Sequence, residues 1–192
     1  FRSIARVTSA VESAVPQGIR SADFADVVLA PGLVDIHVHG GAGHDVMEPD
    51  GAGRARFERF LISRGVTSYC PTTVTAPLDL TLSALERLAD AIAGKEDSGD
   101  GQALPCGIHL EGPFISHVRR GVHPPANLLP PTVEMFERFW QAARGQVRLI
   151  TIAPELPGAL EVIAEAVRRG VCVSLGHSDA DLATTRRAVE LG

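Results

Sequence analysis

The chain is poor in several residue types, and each shortage closes off a class of protein. Of its 192 residues only three are cysteine, at 70, 106 and 172, widely spaced and in no CxxC pair. That excludes a disulfide framework and reads as thiols buried in or beside strands. Lysine occurs once, at Lys95 in the loop Gly94-Lys95-Glu96-Asp97-Ser98-Gly99, against seventeen arginines. Any chemistry that needs a lysine deep in a strand is therefore excluded. No apolar run approaches the roughly 20 residues of a membrane span, and no signal peptide is visible, so a cytoplasmic protein is expected. Basic residues are outnumbered, for a net charge of −5, which argues against binding the phosphate backbone of nucleic acids.

What is present suits one globular domain: 45% of residues are hydrophobic, ample for a core. The chain opens at Phe1 without an initiator Met and stops at Gly192 directly after a helical pattern. The expectation is a piece of a longer protein.

From Pro31 onward, short apolar runs alternate with amphipathic stretches. The runs are 33–39, 67–73, 107–111, 147–153 and 171–177, rich in Val, Ile and Leu as buried strands are. Helical stripes lie between and after them: Phe57, Phe60, Leu61 and Arg64; Leu78, Leu82, Leu85, Leu88 and Ile92; Phe136, Phe139 and Trp140; Leu160, Ile163, Ala164 and Val167; Leu182, Thr185 and Val189. Pro157 and Gly170 mark the start and end of the fourth helix, and Ser178 with Asp181 suggests a capping box for the fifth. Strand then helix, five times, means a parallel sheet with crossover helices. The spacing suits about five of the eight βα units of a (β/α)8 TIM-like barrel, although periodicity alone equally allows an open doubly wound sheet. Residues 1–30 break this rhythm and read as part of a separate small β element, leaving 31–192 as the α/β part.

In parallel α/β folds, ligands collect at the C-terminal ends of strands. The first run ends Asp35-Ile36-His37-Val38-His39-Gly40-Gly41. His37 and His39 share a face and can hold one divalent metal, or they are a pair of satisfied core histidines. The third run reads Ile108-His109-Leu110-Glu111-Gly112-Pro113. A carboxylate there needs a partner, either a metal or a buried ion pair. His109, one layer deeper, supports others or the fold. The fifth run ends Leu175-Gly176-His177, a fourth candidate ligand. Arg119-Arg120-Gly121-Val122-His123-Pro124 is a stiff basic loop, either a substrate contact or merely solvated. His44 and His117 read as surface histidines.

These stretches resemble the N-acetylglucosamine-6-phosphate deacetylases of the metal-dependent amidohydrolase superfamily. The matches are Pro31–Gly40, Pro71-Thr72-Thr73, His109–Phe114, Arg120–Pro124, Ile152–Glu155 and Leu175–Ser178, in the family's order. The Glu-Gly-Pro-Phe stretch and the Gly-x-His-Pro loop are the most specific. The resemblance implies a (β/α)8 barrel beside a small β-sandwich, acting as a homodimer. It implies that Glu111 and His177 bind a principal divalent metal, and that His37 and His39 hold a second, as in some members. Zinc comes first among the candidates, with iron, manganese and cobalt also suited to such ligands. Val122, through its backbone, and His123 match the loop that contacts the sugar. Since no strand lysine is present to bridge two metals, Glu111 takes the bridging or ligating role.

The implied reaction is metal-assisted hydrolysis of the acetamide of a small amino-sugar phosphate, N-acetylglucosamine 6-phosphate, to acetate and glucosamine 6-phosphate. A general acid must protonate the leaving amine. The family's further metal-binding His and its catalytic Asp would lie beyond Gly192, so no catalytic acid or base is assigned within this chain. Two other readings are a deacetylase of a related N-acetyl sugar phosphate or N-acyl amino acid, and an inactive metal-binding fragment. An open five-unit sheet would also expose apolar edges.

Overall fold

Alternation of β-branched runs with amphipathic helices builds the architecture. The computed structural model describes residues 30–94 and 101–192, and 32–192 form one compact unit. The strands are β1 (Leu33–Val38), a hairpin of β2 (Gly40–Gly41) and β3 (His44–Asp45), β4 (Val66–Pro71), β5 (Leu104–Pro105), β6 (Ile108–Glu111), β7 (Val147–Ile152) and β8 (Cys172–Leu175). The helices are α1 (Gly51–Ser63), α2 (Leu78–Ala93), α3 (Val133–Ala142), α4 (Ala159–Arg168) and α5 (Leu182–Val189). All five expected strands and all five expected helices are present. The small β element expected in residues 1–30 lies, but for Ala30, outside the described residues, as does Lys95.

β1 pairs in parallel with β4 and β4 with the short β5, while β6, β7 and β8 pair in parallel in that order. A single parallel bridge, Thr72 to His109, carries the array from β4 to β6. The five long strands therefore lie side by side, among them the three whose ends hold candidate chemistry, β1, β6 and β8. Among the described residues the outer edges stay open: Leu33, Val34 and Ile36 on β1 are 58–62% exposed, the apolar edge expected of an unclosed sheet. No closed barrel forms among the described residues.

Helix termini follow local chemistry. The Asp50 carboxylate accepts from Ala52 N–H at the start of α1, and the Thr132 hydroxyl accepts from Met135 N–H at the start of α3. At α5 the cap is Asp181, which accepts from Thr184 N–H. Ser178 is not part of a capping box, because the helix starts at Asp181; the Ser178 hydroxyl accepts from Ala180 N–H and donates to Glu155. The fourth helix begins at Ala159, after a left-handed Gly158, and ends where Gly170 turns with φ of 76°.

The apolar faces meet in two clusters. The larger packs Leu85, Phe114, Phe136, Phe139 and Ile163 against the strand residues Ile108, Leu110, Ile150 and Ile152. The smaller packs Phe57 and Leu61 of α1 on Tyr69 of β4. Phe136 and Phe139 are core, and Trp140 lies at the core's edge with the Arg169 guanidinium 5.1 Å from its ring centroid. Two expectations fail here. Only Cys70 is buried; Cys106 and Cys172 are exposed, because β5 is a two-residue strand and β8 is a sheet edge. The Cys70 and Cys106 sulfurs are 3.7 Å apart, and this contact holds the Cys106 thiol down to about 6. His44, read as a surface residue, is 5% exposed, since the hairpin folds it against Phe57 and Glu48. Among the described residues, no helix is long and apolar enough to cross a membrane.

Candidate metal centre

Glu111 ends β6 with its side chain 4% exposed, and histidines from three directions face it. His39 Nε2 is 3.1 Å and His37 Nε2 3.5 Å from Oε2, while His177 Nε2 is 3.0 Å from Oε1. His123 Nε2 lies 3.7 Å from Oε2. The alternation of β1 puts His37 and His39 on one face, with their Nε2 atoms 3.1 Å apart. Two imidazole lone pairs at that distance repel unless a proton or a cation lies between them. Among the described residues Glu111 forms its ion pairs with histidines, so an arginine pair does not explain the buried carboxylate. Two clusters have metal-binding geometry: His37, His39 and Glu111, and Glu111, His123 and His177. Glu111 belongs to both: Oε1 faces His177, and Oε2 faces His39, His37 and, farther off, His123.

Neighbouring backbone orients the rings. His39 Nδ1–H donates to the Thr72 carbonyl at 3.0 Å, and His177 Nδ1–H donates to the Arg119 carbonyl at 2.9 Å. Each ring therefore turns Nε2 to Glu111, as a lone pair when the ring is neutral and as a donating N–H when it is protonated. Thr72 itself is placed by Val38 N–H, which donates to its hydroxyl at 3.0 Å, and Glu111 N–H donates to the Thr73 hydroxyl at 3.2 Å. His177 sits in the left-handed region with φ of 50°, an uncommon conformation for a residue other than glycine. Glu155 holds the turn that imposes it, accepting from the Ser178 hydroxyl and from Asp179 N–H, both at 2.7 Å. Arg119 is tied to the same turn through Asp179.

Electrostatics match this arrangement. The Glu111 hydrogen bond raises His39 above its ordinary 6.5. Burial works to raise Glu111, but the His39 hydrogen bond and the nearby imidazoles outweigh it and hold the carboxyl down to about 2. His109 is different. It is 2% exposed, Nδ1–H donates to the Ile36 carbonyl at 3.0 Å, and Nε2 accepts from the Thr151 hydroxyl at 2.8 Å. Burial takes it down to about 4, so it is a neutral prop beneath His37, as its position one layer down implied.

The structure thus brings His37, His39, Glu111 and His177 together. His123 is buried beside them rather than displayed on its loop, whereas Val122 is 87% exposed. Sequence reasoning assigned no role to Thr72, Thr73, Thr75, Thr151 or Glu155. The signal available was a run of hydroxyls, Thr72-Thr73-Val74-Thr75, at a strand's C-terminal end.

The sequence model of the amidohydrolase family matches residues 28–191. The chain belongs to the amidohydrolase family. Among curated relatives, it is 41% identical over 175 residues to N-acetylglucosamine-6-phosphate deacetylase of Bos taurus, covering 88% of this chain and 42% of that one. The same enzyme of Bacillus subtilis is 38% identical over 168 residues, with 88% and 42% covered. The chain spans about two fifths of the length of these relatives. Among solved structures, it superposes at a TM-score of 0.77 and 36% identity on a Mycobacterium smegmatis N-acetyl-D-glucosamine-6-phosphate deacetylase mutant in complex with N-acetyl-D-glucosamine-6-phosphate, covering 84% of this chain and 40% of that one. For the deacetylase of Thermotoga maritima the TM-score is 0.71 at 30% identity, with 84% and 41% covered. Membership of this family makes the fold TIM-barrel-like α/β, and the family is metal-dependent.

Proposed function

We propose that this chain is part of an enzyme that hydrolyses the acetamide of N-acetylglucosamine 6-phosphate, releasing acetate and glucosamine 6-phosphate. The observation that carries the reading is the convergence of His37, His39 and His177 on both oxygens of one buried carboxylate, Glu111, at the C-terminal ends of alternate parallel strands. The likeness to deacetylases over most of the chain narrows the substrate to this class. The parent is a closed (β/α)8 barrel with a small β-sandwich to which residues 1–30 contribute, acting as a cytoplasmic homodimer.

The donor set fits a divalent ion: three imidazole nitrogens and a carboxylate, with His37 and His39 too close to coexist without a cation or proton between them. Glu111 and His177 would hold the principal metal, zinc first among candidates, and His37 and His39 would hold a second. A metal bound there polarises the acetamide carbonyl and acidifies a water. The protein's own share is to keep the His39 and His177 lone pairs aimed inward through Thr72 and Arg119, and to keep Glu111 ionised. Val122 presents backbone to the sugar, and His123 contacts the substrate.

Acetate release by the complete protein should be fastest from N-acetylglucosamine 6-phosphate. Faster turnover of the N-acetylgalactosamine isomer or of an N-acyl-D-amino acid would reassign the substrate. Glu111→Ala should lose bound metal and activity together, whereas His39→Ala should lose at most one metal equivalent. Survival of both metal and turnover in Glu111→Ala would overturn the site.

A further inference from the structure

The histidines around Glu111 differ in what holds their Nδ1 atoms. Carbonyl oxygens, which only accept, hold His39 and His177. His123 is held the opposite way. The backbone N–H of Thr75 donates to His123 Nδ1 at 3.2 Å, and the Thr75 hydroxyl lies 2.8 Å from the same nitrogen. An amide N–H cannot accept, so Nδ1 must present its lone pair, and the neutral ring must carry its proton on Nε2. That Nε2 faces Glu111 Oε2 at 3.7 Å, longer than a hydrogen bond. Both residues are enclosed, His123 at 2% exposure and Thr75 at 5%.

We propose that Thr75 is a positioning residue that fixes His123 in its Nε2–H form, making His123 a hydrogen-bond donor to the substrate and not a metal ligand. Distance alone groups His123 with Glu111 and His177 as a ligand set; the proton's position separates it from them. The turn after Glu111 is cut to fit. A Cβ on Gly112 would stand 2.3 Å from the Thr75 hydroxyl oxygen and 3.5 Å from His123 Nδ1, and Gly112 has φ of 69°, so any side chain there would displace the hydroxyl from the ring. The donor role rests on the deacetylase reading above; the tautomer does not.

The test uses the complete zinc-loaded protein labelled with 15N-histidine. Long-range 1H–15N correlation, with His123 assigned by its loss in His123→Gln, should show an unprotonated Nδ1 and a protonated Nε2. A proton on Nδ1, or a metal-bound Nε2, overturns the proposal. In parallel, Thr75→Val should keep the full zinc content and a similar KM while kcat falls roughly tenfold, the scale of one lost orienting hydrogen bond. Thr75→Ser, which keeps both donors, should restore kcat to within about twofold. Loss of zinc in Thr75→Val or in His123→Gln would make His123 a ligand after all, and unchanged kcat in Thr75→Val would remove the positioning role. If the wild type releases no acetate, the deacetylase reading fails, and the spectrum still decides the tautomer.

Discussion

Glu111 and His39 each shift the other's titration, and the consequence is a definite pH window for the metal-free protein. Glu111 is held at about 2 against an ordinary 4.5, so its contribution is present above 4.5 and is lost as pH falls toward 2. His39 is raised above 6.5, so its contribution is complete below 6.5 and is lost as pH rises past its folded value. The pair therefore stabilises the fold most between 4.5 and 6.5. In EDTA, the difference in urea midpoint between wild type and Glu111→Gln should peak in that window and shrink on both sides. A difference independent of pH would show that the pair contributes nothing through its charge. The residues of this pair were legible in the sequence, because a His-x-His and a lone carboxylate at strand ends are costly unless they serve one another. The threonines and carbonyls that orient them were not, since a backbone acceptor leaves no mark on residue type.

Among the elements, α1 and β4 share a buried polar contact beside the site's first strand. The Tyr69 hydroxyl donates to Glu58 Oε1 at 3.0 Å, and Glu58 is fully buried with Arg54 at 3.6 Å. Tyr69→Phe should cost about 1 kcal/mol, the net worth of one buried hydrogen bond and rather more if the carboxylate stays desolvated. Chemical denaturation of the metal-free protein would measure it, and no loss would mean that water replaces the hydroxyl. The helix stripes located all five helices, and in α2, α3 and α4 burial at every third or fourth residue, imposed by the 3.6-residue turn, is the reason; in α5 the stripe residues Leu182 and Val189 are exposed and Ala188 is buried instead. Their ends were harder: Ser178 has cap chemistry, but the cap is Asp181 and the Ser178 hydroxyl donates to Glu155, a partner 23 residues away. The buried His44 was missed because a hairpin of two two-residue strands has no periodicity to read.

At the scale of the whole molecule, the β1 edge, open among the described residues, gathers three exposed apolar side chains on one strand. Leu33, Val34 and Ile36 offer apolar side chains on a strand with one side unpaired among the described residues. The 192-residue chain expressed alone should self-associate, and light scattering should show this falling in Ile36→Lys. A stable, monodisperse monomer would show that the edge is covered from within the chain.

Composition, the strand–helix rhythm and the polar residues ending each run were enough to establish a parallel α/β fold and to name four of the site's side chains. Periodicity reports which face of an element is buried, and the cost of stranding a charge marks where chemistry must be. The sequence could not say that Glu111 turns one oxygen to His177 and the other to His37 and His39, nor that His123 carries its proton toward the site while its neighbours carry theirs away. Both depend on distances between strands far apart in the chain and on which backbone group lies behind each ring, and those arise only when β1, β4, β6 and β8 are brought side by side.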